Sequence, residues 1–214
     1  MNKKFEYLFL IIPLLIIGFT FSNKKFSDPN KDKLLIEIVK YVVEKGHYNN
    51  IEINDNLSEK LYQSFIDQLD SQKRFFLKSD IKIFEKYKYK LDDQIKDYDL
   101  SFFNLVFETI KIRFDEVQEY YNEIINKPFD FKSKENLNLD FENKDYSKNK
   151  NEVKQRWRKQ LKFSMLDIAL LKLGDSLDFI NDRVYNESLA IVKKNTEDFF
   201  EFYNDMDRDD WFSS

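Results

Sequence analysis

From Leu34 onward, apolar residues recur at steps of three and four, the spacing that lines one side of an α-helix. Leu34, Leu35, Ile38, Val39, Val42 and Val43 hold this spacing until Gly46, which predicts a first helix ending there. Asn56 followed by Glu59 has the spacing of a capping box, opening a second helix with Leu57, Leu61, Phe65 and Leu69 on one face. Ser79 is expected to cap a third, along which Ile81, Phe84, Tyr87, Leu91 and Ile95 form a single stripe. The strongest pattern is the fourth: Phe103, Val106, Ile110, Phe114, Val117, Tyr121 and Ile124, closed by Lys127-Pro128.

Between Phe129 and Asn151 the periodicity lapses into Asn, Asp, Lys and Ser, with Phe131, Leu137, Leu139, Phe141 and Tyr146 scattered among them. An ordered but irregular connection, pinned by its aromatics, is expected. A fifth helix carries Val153, Trp157, Leu161, Met165 and Ile168, and Gly174-Asp175-Ser176 reads as a C-cap followed by an N-cap. The sixth then runs through Ile180, Val184, Leu189, Ile191 and Val192, with Asn195 or Thr196 starting a shorter piece that contains Phe199, Phe200 and Tyr203. The pattern predicts an all-α, irregular multi-helix domain of about six helices over residues 32–206, with one long irregular connection and no internal repeat. Residues 207–214 read as the start of a truncated next segment, with Asp209 as a cap and Trp211 and Phe212 expected to bury against something beyond it.

The N-terminus has a different character. Lys3 and Lys4 precede an apolar run from Tyr7 to Phe21, too short to span a bilayer comfortably, and Thr20-Phe21-Ser22 offers small residues at the positions a signal peptidase inspects. Residues 1–22 are expected to be a signal peptide, with an uncleaved anchor as the alternative, and residues 23–31 a polar tether. Either way the domain is exported, touching the membrane only through an uncleaved N-terminal segment. The expected location is the periplasm or the outer side of the inner membrane.

Composition reinforces the helical reading, because three glycines and three prolines leave little material for tight strand turns. With 42% hydrophobic and 17% aromatic residues the chain is rich enough to fold despite 35% charged residues. Its 35 basic and 39 acidic residues are interspersed, which argues against nucleic acid as a partner. Without cysteine there is no disulfide framework and no thiolate metal site.

Candidate chemistry is sparse, and no cofactor is expected. His47 stands alone, so metal sites and Ser-His-Asp catalysis would rest on one residue beside Gly46; a loop-packing role is the simpler reading. The glycines are too dispersed for a phosphate-cradling loop or a nucleophile elbow. Asp205, Asp207, Asp209 and Asp210 lack the turn glycine of a calcium loop. No serine lies in a glycine-bearing turn that could also supply an oxyanion hole for a Ser-Lys dyad.

Several segments in order along the chain carry a resemblance. They are His47-Tyr48, Leu69-Asp70, the run Arg74-Phe75-Phe76-Leu77-Lys78-Ser79-Asp80, Lys127-Pro128-Phe129-Asp130-Phe131, and Trp157 through Phe163. Together they resemble the N-terminal helical domain of tail-specific proteases, also called carboxy-terminal processing proteases, over roughly residues 30–205. The resemblance implies a periplasmic-type serine endopeptidase that recognises the apolar C-terminal tail of a protein substrate, in which this region precedes, and packs as a partner against, a PDZ domain and a protease core with a serine nucleophile and a lysine base. None of the family's catalytic residues has a counterpart in this chain. The implied role here is a non-catalytic scaffold that handles protein substrates or an adaptor protein. The landmarks His47, Tyr48, Leu69, Asp70, Phe76, Leu77, Ser79, Asp80, Pro128, Asp130, Phe131, Trp157 and Phe163 are expected to be structural. A free-standing exported helical module that binds a partner helix or peptide is the competing reading.

Overall fold

A computed structural model describes residues 29–41, 52–174, 180–206 and 210. Among these it has seven α-helices and no strand. They are α1 (Pro29–Tyr41), α2 (Asp55–Leu69), α3 (Lys78–Phe84), α4 (Leu91–Asp97), α5 (Ser101–Ile125), α6 (Lys150–Leu173) and α7 (Asp182–Asp205), with a 3-10 turn at Glu85–Tyr87. No described helix is long and apolar enough to cross a membrane. The expected signal peptide, together with His47 and Tyr48, lies outside the described residues.

The helices contribute to two compact units. The first holds α1, α2, Ile83 and Phe84, the 3-10 turn, α4, and α5 up to Phe107. Phe102 is its centre: the rings of Tyr62, Phe65, Phe84 and Tyr87 all lie within 5.5 to 6.3 Å of it. Helix α1 begins at Pro29, within the stretch expected to be tether, where proline's missing N–H costs nothing. It buries Ile36, while Leu34 and Ile38 of the expected apolar stripe stay exposed.

Two expectations are corrected in this unit. Asn54, not Asn56, caps α2, its Oδ1 accepting from the backbone N–H of Asn56 and Leu57. Three successive residues, Asn54, Asp55 and Asn56, can each play the part. The buried face accordingly carries Leu57, Ser58, Tyr62 and Ile66. The single third helix is broken after Phe84, and Ser58 explains the break. Its buried hydroxyl donates to the Lys88 carbonyl at 2.9 Å and accepts from the Leu91 N–H at 2.8 Å. It thereby satisfies two groups that the broken helix leaves without intrahelical partners.

The second unit contains residues 70–82, α5 from Glu108, the connection, α6 and α7. Helices α6 and α7 run antiparallel, since Lys172 pairs with Glu187 at one end while Trp157 stacks on Phe200 toward the other. Phe114 of α5 meets Phe75, Phe199, Phe200 and Tyr203 in one aromatic cluster. Helix α6 buries Val153, Trp157, Leu161, Met165 and Ala169, and Gly174 ends it at φ +59°, a conformation that suits glycine. Helix α7 starts at an Asn181 cap rather than at Ser176, which lies outside the described residues. It continues unbroken through Asn195 and Thr196, because the Thr196 hydroxyl turns back to the Val192 carbonyl instead of capping a new helix.

The connection is irregular, as expected, and several of its carbonyls are held by cations from elsewhere in the unit: Lys73 donates to Glu142 O, Arg156 to Asp145 O, Lys159 to Asn136 O and Lys162 to Ser133 O. In the other direction its own Lys144 donates to Gln72 O. Replacing Phe114 with alanine should remove the hub of the aromatic cluster and cost about 3–5 kcal/mol. Urea denaturation checks this: a lower midpoint at unchanged slope is expected, and a loss below about 1 kcal/mol would show that the cluster closes without the ring.

Candidate functional site

The landmarks between residues 70 and 80 converge on one buried turn. Asp70 is 2% exposed. One of its carboxylate oxygens accepts the Arg74 N–H at 2.7 Å, and the other accepts those of Phe75 and Phe76 at 3.0 and 2.9 Å. Lys73 takes a positive φ of 50° to close the turn. From α6 the Trp157 indole N–H donates to the Arg74 carbonyl at 2.9 Å, and Arg156 donates to the Lys73 carbonyl at 2.8 Å. The Arg74 guanidinium lies about 5 Å from the ring centroids of Phe75, Trp157 and Phe199.

After the turn, Phe76 is fully buried and Leu77 forms an isolated parallel bridge with Ser147 of the connection. Ser79 is not the cap of α3 and is exposed. The helix opens instead at Leu77, whose N–H donates to Asp80 Oδ2 at 2.8 Å while the Ile81 N–H returns to the Leu77 carbonyl. Asp80 also receives a two-pronged bond from Arg113 of α5, at 2.8 Å on each oxygen. Leu69, half-buried, closes α2.

Two other landmarks fasten the connection to α7. The Phe129 N–H donates to the Tyr185 hydroxyl at 3.0 Å, and the Phe131 ring stands edge-on to Tyr185 at 6.1 Å. Asp130 is exposed, folding the chain locally by accepting from the Lys132 N–H. Pro128 and Asp130 border a cleft of about 280 Å³, closed on the α6 side by Lys154 and Arg158. Those cations are paired already, with Glu123 and Glu135. Phe163, by contrast, is 44% exposed. Among the described residues no group of three His, Asp or Glu side chains could hold a metal ion.

Sequence reasoning passed over Arg113, Arg156 and Tyr185. A signal for the arginines was available: only six of the 35 basic residues are arginine. The choice of a planar fork over a flexible ammonium marks places where geometry matters.

The electrostatics of the turn are unusual. Burial pushes the Asp70 carboxyl up to about 6, with the three backbone N–H groups and Arg74 pulling the other way. Burial, with help from Arg156, pushes the nearby Lys144 ammonium down to about 8, and Asp70 opposes it. An unfolded aspartate titrates near 3.9, so the folded state holds the Asp70 proton more tightly. Stability from this group is therefore greatest below about 4, falls as pH rises toward about 6, and stays reduced above that. Relative to an Asp70→Asn variant, which cannot titrate here, the natural chain should lose on the order of 3 kcal/mol between pH 4 and pH 7. Paired urea titrations across that range measure it, and a difference that does not change with pH would refute it.

The sequence family described as "Tail specific protease N-terminal domain" matches residues 38–214. The tail-specific protease of Haemophilus influenzae is 30% identical over 132 residues, which cover 61% of this chain and 19% of that protein. The chain thus spans about a fifth of the length of the curated relative it matches. The match covers most of the chain and runs through the Asp70 turn, the Pro128 segment and the Trp157 helix, so the chain belongs to the tail-specific protease N-terminal domain family.

Proposed function

We propose that residues 32–206 are the non-catalytic scaffold of an exported tail-specific serine endopeptidase, handling protein substrates or an adaptor for a protease core elsewhere in the whole protein. The observation that carries this reading is how the landmark polar groups are spent. Asp70 holds three backbone N–H groups, Asp80 holds Leu77 and Arg113, and Trp157 holds a carbonyl. Groups engaged in this way fix the chain's own course and are not free to attack or protonate a substrate. Export to the periplasm, or retention on the outer side of the inner membrane, is supported by Lys3 and Lys4 ahead of the Tyr7–Phe21 apolar run.

Incubating the 214-residue chain with an unfolded protein that ends in an apolar C-terminal tail should leave the substrate intact, whereas the whole gene product should degrade it. Mass spectrometry of the digests reads both outcomes. Cleavage by the 214-residue chain alone would overturn the scaffold reading.

A further inference from the structure

Where the Asp70 turn meets the connection, three cations come together, and none of them has a carboxylate ion-pair partner among the described residues. Lys73 gives its ammonium to the Glu142 carbonyl at 2.8 Å, and Arg156 gives its guanidinium to the carbonyls of Lys73 and Asp145 at 2.8 and 2.7 Å. Lys144 is the third. Its half-buried ammonium donates to the Gln72 carbonyl at 3.3 Å and stands 4.8 Å from the centroid of the Phe141 ring. Arg156 thus clasps the residues next in sequence to both partners of the Lys144 bond. Elsewhere the lysines Lys150, Lys154 and Lys172 each rest against a glutamate.

A lysine partly stripped of water, beside two other cations and facing a neutral acceptor, gives up its proton more readily. Burial, then Arg156 and Lys73, bring Lys144 down to about 8 against the pull of Asp70. Near pH 7.5 about a quarter of its amines are then free, against about one in a thousand for an ordinary lysine. Desolvation next to a second cation is also what makes a lysine amine a nucleophile. Half-burial favours a small, uncharged electrophile. Lys73 and Arg156 have N–H donors beyond the three used on carbonyls, so the site is supplied for an anion.

We propose that Lys144 is a carbamate-forming site, its amine reversibly taking up carbon dioxide to give an anion held by Lys73 and Arg156. The nitrogen lone pair attacks the carbon, an N–C bond forms, one C=O electron pair moves onto oxygen, and the proton shed by nitrogen goes to solvent. Nothing is oxidised or reduced. The remaining N–H still reaches the Gln72 carbonyl, and a cation among cations has become an anion among cations. Asp70 opposes the new charge, but its oxygens are already taken up by three backbone N–H groups. The inference does not depend on the scaffold reading.

NMR of the 214-residue chain in isotope-labelled bicarbonate tests it, with a trialkyloxonium salt to trap the carbamate as its ester and peptide mass spectrometry to place it. The labelled ester should map to Lys144, apart from any on the N-terminal amine. Lys144→Arg, which keeps the charge, should abolish the Lys144 signal and leave that of the N-terminal amine. Lys73→Gln should lower the occupancy of Lys144 several-fold. Should either variant fold poorly, trapping on the natural chain decides by itself. An unlabelled Lys144, or label spread evenly over the exposed lysines, overturns the proposal, as does an occupancy indifferent to Lys73→Gln in a folded variant.

Discussion

The second unit depends on a single buried carboxylate. Asp70 gathers three consecutive backbone N–H groups that no helix or strand could satisfy, and so permits a sharp turn in the interior where unpaired amides would be costly. The same turn sends Phe75 and Phe76 inward and leaves the carbonyls of Lys73 and Arg74 to be met by Arg156 and Trp157. Donors and acceptors of one short loop are thus divided between a carboxylate below and a helix above. Burial opposes the charge that this arrangement needs, and the turn balances desolvation against hydrogen bonding.

Around that turn, arginine does what lysine could not. Arg113 grips both oxygens of Asp80 and continues to Glu116. Arg158 grips Glu135 in the same two-pronged way, and Arg156 reaches two carbonyls. Apart from the Arg113–Glu116 pair within α5 these contacts join different segments, and those of Arg156 with Asp145 and Arg158 with Glu135 hold the long connection on one path without secondary structure of its own. Near these contacts Asp80 accepts from the Leu77 N–H, Trp157 donates to the Arg74 carbonyl, and the Phe131 ring stands edge-on to Tyr185.

How far this was legible depended on whether local pattern or a distant partner decided the outcome. Helix α5 was plain, because its 3/4 spacing is long and the burial of Val106, Ile110, Phe114, Val117 and Tyr121 follows it directly. The break between α3 and α4 was not, since an unbroken stripe from Ile81 to Ile95 is overruled by a hydroxyl thirty residues earlier in the chain. The cap of α2 was misplaced by two residues because adjacent residues are chemically equivalent caps. The landmarks Asp70, Phe76 and Asp80 fall together around one turn, but nothing in their spacing revealed that Asp70 would face amides, or that Phe163 would face out while Trp157 faced in.

The connection between α5 and α6 has one further consequence. Most of its moorings run from an ammonium or guanidinium to a peptide carbonyl, so a charge meets a dipole where an ion pair would bring two charges together. Such contacts lie at the surface but act over hydrogen-bond distances, far shorter than the length over which dissolved ions screen. Brine should therefore leave this loop on its path, and chemistry that strips lysines of their charge is what would cast it loose.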